Sequence, residues 1–171
     1  MTHATGKVLV IGYGNPGRLD DGLGPALAAR LEALELPGVT VDADYQLTVE
    51  DAAAVAAHDV VVLVDADTSG AGPFHFERLA PTPRLGFSSH SVSPGALLAL
   101  AEDLFGARPE AWALGIRGYD FNEFGERLSE RAQANLEAAT AFVVNALHSR
   151  AFRRTPDELA RSSEADEGDK Q

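Results

Sequence analysis

The feature that most constrains the fold is a regular alternation of strand-like and helix-like segments along the chain. Residues 59–65 (DVVVLVD) and 7–13 (KVLVIGY) are short runs rich in β-branched residues. Uninterrupted apolar runs of this length are typical of parallel strands buried on both faces. Between them, residues 23–34 place four leucines at helical spacing, and Pro37-Gly38 ends this helix. The alternation predicts an α/β sandwich, with helices on both faces of a mostly parallel sheet.

The rest of the chain continues this alternation. Strands are predicted at residues 39–43, 74–79 and 111–116, and helices at 48–57, 93–105 and 129–149. Thr48 is the expected N-cap of the first of these helices, and Ser93-Pro94 opens the second. The last helix has an apolar face of Leu128, Leu136, Ala139, Phe142, Val143 and Leu147.

Domain organisation follows from where large apolar residues stop. Residues 1–150 are expected to form a single α/β domain, and residues 151–171 a disordered acidic tail that cannot bury enough surface to fold. The tail carries four basic and six acidic residues, so it accounts for only −2 of the formal charge of −12. The acidity therefore belongs to the predicted domain.

Charge and cysteine content exclude several classes of function. The chain has 26 acidic and 14 basic residues, so neither nucleic acid nor an anionic membrane surface is an expected partner. It has no cysteine, which rules out disulfides, thiolate metal sites and a cysteine nucleophile. No apolar run approaches the roughly 20 residues of a membrane span, and the polar first seven residues contain no secretory signal. A cytoplasmic protein is expected, and any metal must be held by carboxylates and imidazoles.

A glycine motif after the first predicted strand suggests nucleotide binding. Gly12, Gly14 and Gly17 match the GxGxxG pattern of dinucleotide-binding folds. In those folds the third glycine opens the helix that receives the pyrophosphate, whereas here Asp20 and Asp21 follow before the helix begins. Two carboxylates at that place repel phosphates. Nucleotide binding and a glycine turn without a ligand both remain alternatives.

Acidic and imidazole side chains follow predicted strands. Asp20 and Asp21 come after the first strand, Asp65 and Asp67 after residues 59–64, and His90 precedes the third helix. Because ligands of open α/β sheets bind beyond the carboxyl ends of the strands, these groups are candidates for one site. Two carboxylates and one imidazole suit nickel, zinc and similar ions and leave positions open for a substrate.

Each candidate also has a structural explanation. Asp20 or Asp21 could cap the following helix, and Asp65 could stabilise a turn. His90 could be a loop histidine, and the serines beside it form no catalytic triad because no third group orients the base. Three other histidines lack an acidic strand-end context and are expected to be structural or exposed: His58, His75 and His148.

Taken in order, the motifs resemble the nickel–iron hydrogenase maturation endopeptidases, which remove a short C-terminal extension from the precursor of the hydrogenase large subunit. The resemblance rests on residues 8–16 (VLVIGYGNP), 20–24 (DDGLG), 64–66 (VDA), 89–91 (SHS) and 114–116 (LGI). Together with the closing helix, it extends over residues 7–148.

The resemblance implies a specific site and fold. The family's three metal-binding residues map onto Asp21, Asp65 and His90, which would also be the catalytic residues of an aspartic-type, metal-dependent peptidase. Nickel would be presented by the precursor, so that cleavage follows nickel insertion. The implied fold is phosphorylase/hydrolase-like, with a twisted sheet of about five strands. A monomer is expected because the enzyme must bind a large partner.

The chain also departs from the family pattern. The first metal position is usually Glu but is Asp21 here, and Asp is shorter by one methylene. Residues 117–121 (RGYDF) stand where many relatives have Gln or Glu and Pro, and residues 45–48 (YQLT) replace a common Gly-Gly-Thr. These departures suggest a subgroup that serves a different class of hydrogenase.

Two rival functions remain. One is a chaperone that binds nickel or the large subunit without cutting it, and the other is a nucleotide-binding α/β protein.

Overall fold

A five-stranded sheet forms the centre of the molecule. The computed structural model describes residues 6–83 and 91–152. The strands are β1 Val8–Tyr13, β2 Val39–Asp44, β3 Val60–Asp67, β4 Phe74–Leu79 and β5 Glu110–Arg117. Their order is β2-β1-β3-β5-β4, and only β4 runs antiparallel to its neighbour. The predicted fold class, with its mostly parallel sheet, is confirmed.

Within the described residues, four α-helices and one short 3-10 helix surround the sheet. They are the 3-10 helix Leu19–Gly22, α1 Leu23–Ala33, α2 Asp51–Ala56, α3 Pro94–Phe105 and α4 Glu130–Ser149. Helices α1 and α4 pack on one face, and α2 and α3 on the other. The result is the three-layer arrangement that the sequence predicts.

Two hydrophobic cores follow from the alternation of side chains along the strands. In β1, Val8 and Val10 face α1 and α4, whereas Leu9 and Ile11 face α2 and α3. All four are at most 1% exposed. A strand buried on both faces has to be apolar throughout, which explains the continuous apolar runs in the sequence.

Local details differ from the predictions at two helices. Helix α2 begins at Asp51, and Thr48 does not cap it; instead the Thr48 backbone N–H donates to the Asp51 carboxylate at 2.8 Å. Helix α1 ends at Ala33, so Leu34 leaves the apolar face predicted for it and is 51% exposed. At the C-terminal end, Phe152 is buried against the core of α1 and α4. Residues 153–171, the rest of the predicted tail, lie outside the described residues.

The described helices are all too short or too polar to cross a membrane.

Candidate functional site

The candidate site lies where the strand order reverses. The chain passes from β1 to β2 on one side and then crosses to β3 on the other. In an open α/β sheet, the loops that follow two such strands diverge and leave a crevice beyond their carboxyl ends. The residues that follow β1 and those that end β3 therefore border one crevice.

Asp21 reaches this crevice from the 3-10 helix that joins β1 to α1. Its Oδ2 atom accepts a hydrogen bond from the Asn15 backbone N–H at 2.7 Å. Gly14 permits this close turn: its φ is +140°, and a Cβ there would overlap the Asp21 carbonyl oxygen. Asp21 does not cap α1, whose N-cap is Gly22.

Asp65 enters the same crevice from β3. Its Oδ1 atom accepts a hydrogen bond from the Ala66 backbone N–H at 2.8 Å. Burial raises the pKa of Asp65 to about 6, and the negative charges of Asp21 and Asp67 contribute to the rise despite that hydrogen bond. Asp21 and Asp65 are therefore brought within electrostatic reach of each other. The third predicted ligand, His90, lies outside the described residues.

Asp20 points away from this pair and has a structural role. It is fully buried, and its carboxylate accepts hydrogen bonds from the backbone N–H groups of Tyr119, Asp120 and Ser129 and from the Ser129 hydroxyl, at 2.7–2.9 Å. Burial alone would raise the pKa of Asp20, but these hydrogen bonds outweigh it and hold the pKa below its ordinary value. Asp20 therefore anchors the loop that carries Asp21.

Residues 117–121, which depart from the family pattern, supply half of this anchor. The guanidinium groups of Arg117 and Arg131 both lie over the Tyr119 ring, 4.7 and 3.9 Å from its centroid. The side-chain amide of Asn135 donates to the Tyr119 hydroxyl at 3.1 Å. These contacts hold the backbone that donates to Asp20.

His75 reaches the site, although the sequence does not predict it there. It lies on β4, and its Nδ1 atom is 3.1 Å from Oδ2 of Asp67. Asp65 and His75 are both register partners of Gly115, so all three positions face the same side of the sheet in one row across β3, β5 and β4. The expectation that His75 lacks an acidic context is wrong, because an antiparallel pairing brings it beside the end of β3.

Only Gly115 in the sequence could have hinted at this arrangement. A Cβ at this position would overlap the His75 ring, so the imidazole can lie across β5 only because residue 115 has no side chain. A glycine within an apolar strand often marks such a close approach. The sequence does not reveal which strand lies beside it.

Asp65, Asp67 and His75 line a common cavity of about 200 Å³, together with Tyr13. Burial raises the pKa of Tyr13, and the charge of Asp65 raises it further. The Asp67 pKa shifts in the other direction. At Asp67, backbone hydrogen bonds from Ser69 and Gly70 and the charges of His75 and Arg117 outweigh the effect of burial and keep the pKa low.

Within residues 6–83 and 91–152, no three acidic or histidine side chains are arranged to hold a metal.

The glycines of the GxGxxG motif serve close packing. A Cβ at Gly12 would overlap the backbone of Gly24 in α1, and one at Gly24 would lie 2.7 Å from the Val64 carbonyl oxygen. Gly17 closes a turn in which its N–H donates to the Asn15 side chain at 2.8 Å. These contacts explain the motif without a nucleotide.

His58 and His148 lie apart from the candidate site. His58 has a structural role, since its ring contacts the Ala54 carbonyl oxygen at 2.6 Å and the Thr40 hydroxyl at 3.2 Å. His148 is exposed in the last turn of α4. Both agree with the expectation from the sequence.

Several solved structures with this fold are named hydrogenase maturation proteases or peptidases. The NiFe hydrogenase maturation protease HycI from Thermococcus kodakarensis superposes with a TM-score of 0.65 at 24% identity, covering 85% of this chain and 95% of that chain. The hydrogenase 2 maturation peptidase from Thaumarchaeota archaeon SCGC_AB-539-E09 has a TM-score of 0.62 at 25% identity, covering 83% and 98%. The resemblance predicted from the sequence is confirmed.

The hydrogenase maturating endopeptidase HybD from E. coli has the same architecture, with a TM-score of 0.65 at 21% identity over 85% of this chain and 94% of that chain. No protein-family model matches this chain, and no sequence among curated proteins matches it.

Proposed function

We propose that this chain is an endopeptidase that removes the C-terminal extension from the precursor of a nickel–iron hydrogenase large subunit, after nickel has been inserted. The observation that carries the proposal is that Asp21 and Asp65 border the same crevice between β1 and β3, near enough for the charge of Asp21 to raise the pKa of Asp65. The fold adds support, since solved structures that share it are named maturation proteases and peptidases. The enzyme would act as a cytoplasmic monomer.

The two carboxylates are suited to binding a cation that arrives with the substrate. Oδ2 of Asp21 and Oδ1 of Asp65 are each held by a backbone N–H. The second oxygen of each carboxylate has no hydrogen bond within the described part of the chain. One anchored and one available oxygen orient each group before the substrate binds, which lowers the entropic cost of binding.

Nickel in the precursor would supply the specificity. Asp21, Asp65 and His90 would complete the coordination of that nickel with two oxygen donors and one nitrogen donor, a set that suits a divalent ion of this type. Nickel is thus part of the substrate, and the precursor is recognised only when nickel is in place.

Hydrolysis requires a base as well as a binding site. The two carboxylates of the site are the candidate bases. In the proposed reaction, one of them takes one proton from water while the water oxygen adds to the scissile carbonyl carbon. The C–N bond then breaks, and the proton passes to the leaving amine.

The test is to incubate the protein with nickel-loaded and with nickel-free large-subunit precursor and to measure the mass of each. We expect a defined C-terminal mass loss only from the nickel-loaded precursor. Asp65→Asn and His90→Ala should abolish this loss, whereas Asp103→Asn, a change at an exposed position of α3, should leave it unaltered.

Other outcomes separate the rival functions. A stable complex with the nickel-loaded precursor, without mass loss, would instead identify a chaperone. Normal cleavage by Asp65→Asn or His90→Ala would refute the proposed site.

A further inference from the structure

His75 is held in the candidate site by two contacts. Its ring lies across Gly115, and its Nδ1 atom faces Oδ2 of Asp67 at 3.1 Å. The other oxygen of Asp67 accepts the Ser69 backbone N–H at 3.1 Å. Asp67 is thus fixed from one side and orients the imidazole from the other.

This contact determines which ring nitrogen is available. A proton on Nδ1 would be stabilised by the Asp67 carboxylate, whose Oδ2 lies 3.1 Å away and can only accept. Nε2 is then the ring nitrogen left for a further partner. Oε1 of Glu77 lies 3.9 Å from Nε2, beyond hydrogen-bonding distance.

The imidazole is also accessible. The His75 side chain is 47% exposed, and it lines the cavity of about 200 Å³ that contains Asp65. The His75 ring covers Gly115, and Leu63, Ala66 and Ala113 line the cavity beside it. A peptide backbone in this cavity would reach both the Asp65 carboxylate and the imidazole.

We propose that His75 is a substrate-binding residue whose Nε2 atom hydrogen-bonds the main chain of the precursor next to the bond that is cut. This inference rests on the proposed peptidase function. Asp67 acts through His75 as a positioning residue, and Gly115 makes room for the ring. Hydrogen bonds to the main chain suit a cavity of this kind, since they place a segment beside Asp65 without requiring a particular side chain.

Two substitutions of His75 separate this role from a structural one. An Asn amide nitrogen takes the position of Nδ1 and retains the Asp67 contact, whereas a Gln amide reaches the position of Nε2. We expect His75→Asn to raise the KM for nickel-loaded precursor about tenfold, the effect of one lost hydrogen bond, with kcat nearly unchanged. His75→Gln should keep KM within about threefold of the wild type. His148→Asn, on the exposed end of α4, is the matched control.

A third variant changes the position of the ring without altering the imidazole. In Gly115→Ala the new Cβ displaces the His75 ring, so KM should rise as it does for His75→Asn. Circular dichroism and the melting temperature establish whether Gly115→Ala is folded. If Gly115→Ala does not fold, the KM of His75→Asn alone tests the proposal.

The outcomes distinguish this inference from the function on which it rests. If the wild type cleaves the precursor and His75→Asn has an unchanged KM, the substrate contact is refuted and the peptidase function stands. The same conclusion follows if His75→Asn retains KM and His75→Gln loses it, since the Asp67 contact alone would then matter. A wild type that does not cleave refutes both.

Discussion

The carboxylate of Asp20 accepts two hydrogen bonds from Ser129, one from the backbone N–H and one from the hydroxyl, both at 2.7 Å. Ser129 is also the N-cap of α4, where its Oγ accepts the Ala132 N–H at 3.2 Å. The loop that carries the candidate residue Asp21 is therefore tied to the start of the last helix. A buried carboxylate with four donors makes this a structural anchor.

Removal of the Asp20 charge should destabilise the fold. In Asp20→Asn one oxygen becomes an amide nitrogen that faces donors, so we expect the free energy of unfolding to fall by about 2–4 kcal/mol. Urea unfolding measures the change, and Asp103→Asn, an exposed change, should alter it by less than about 0.5 kcal/mol. Equal losses of unfolding free energy in the two variants would contradict the structural role of Asp20.

The same anchor has a signature in acid. Because the pKa of Asp20 is lower in the folded state than in the unfolded chain, its contribution to stability is present above the ordinary Asp pKa and is lost as pH falls through the folded value. Wild-type stability should fall in this acidic interval more steeply than that of Asp20→Asn. If the free energies of unfolding of the two proteins fall in parallel as pH falls, the stabilising role of the Asp20 carboxylate is contradicted.

Asp65→Asn should stabilise the protein while abolishing cleavage. Burial raises the pKa of Asp65 to about 6, so the ionised form is disfavoured in the fold. Wild-type stability from this group is present below about pH 4, the ordinary Asp value, and is lost as pH rises through about 6. Asn cannot ionise and so avoids that loss. The free energy of unfolding of the variant should exceed that of the wild type by on the order of 2 kcal/mol at pH 7 and should equal it at pH 4. Thermal unfolding at the two pH values checks this.

At Asp21 the charge should matter more than the length of the side chain. Asp21→Glu keeps a carboxylate and should retain cleavage of the nickel-loaded precursor. Asp21→Asn keeps an acceptor for the Asn15 N–H but loses the charge, and we expect its cleavage rate to fall on the order of 100-fold. Cleavage rates are measured by the appearance of the shortened product, and melting temperatures show whether both variants are folded. Loss of activity in Asp21→Glu alone would indicate a tightly shaped turn.

Gly12 should be needed for packing. In Gly12→Ala the new Cβ overlaps the Gly24 backbone and pushes α1 away from the sheet, which we expect to cost about 1–3 kcal/mol of stability. Gly17→Ala is the matched control, since its Cβ meets only the end of the Asn15 side chain at 3.2 Å. Denaturant unfolding compares the two. A saturable rise in the wild-type melting temperature with NAD or FMN would revive nucleotide binding instead.

Most of the fold could be predicted from local pattern. The runs that form β1 and β3 are apolar at every position because both faces of these strands are buried, and this signal is independent of what the strands contact. Ser93 caps α3 at the Ser-Pro start that the sequence predicts, and α4 begins one residue after its predicted start, with Ser129 as its N-cap. The start of α2 differs from its prediction. The Thr48 side chain could have accepted the Asp51 N–H, but the Asp51 carboxylate instead accepts the Thr48 N–H.

The candidate site was predictable only in part. Asp21 and Asp65 could be placed together because parallel strands end at the same edge of a sheet, and that rule needs no tertiary detail. His75 could not be placed, because the position of the antiparallel β4 beside β5 depends on contacts between distant segments. Asp20 and Asp21 also looked equivalent as neighbours, although one is fully buried and the other borders the crevice.

The sequence by itself determined the α/β class, the chemistry of the available ligands and the resemblance to maturation endopeptidases, since these depend on local periodicity, composition and motif order. The tertiary structure decided which acidic residue is an anchor and which borders the site. It also brought His75 across Gly115 to Asp67. The physical reason is that burial, hydrogen bonding and charge proximity arise from residues far apart in the chain, as Asp20 and Ser129 show across 109 positions.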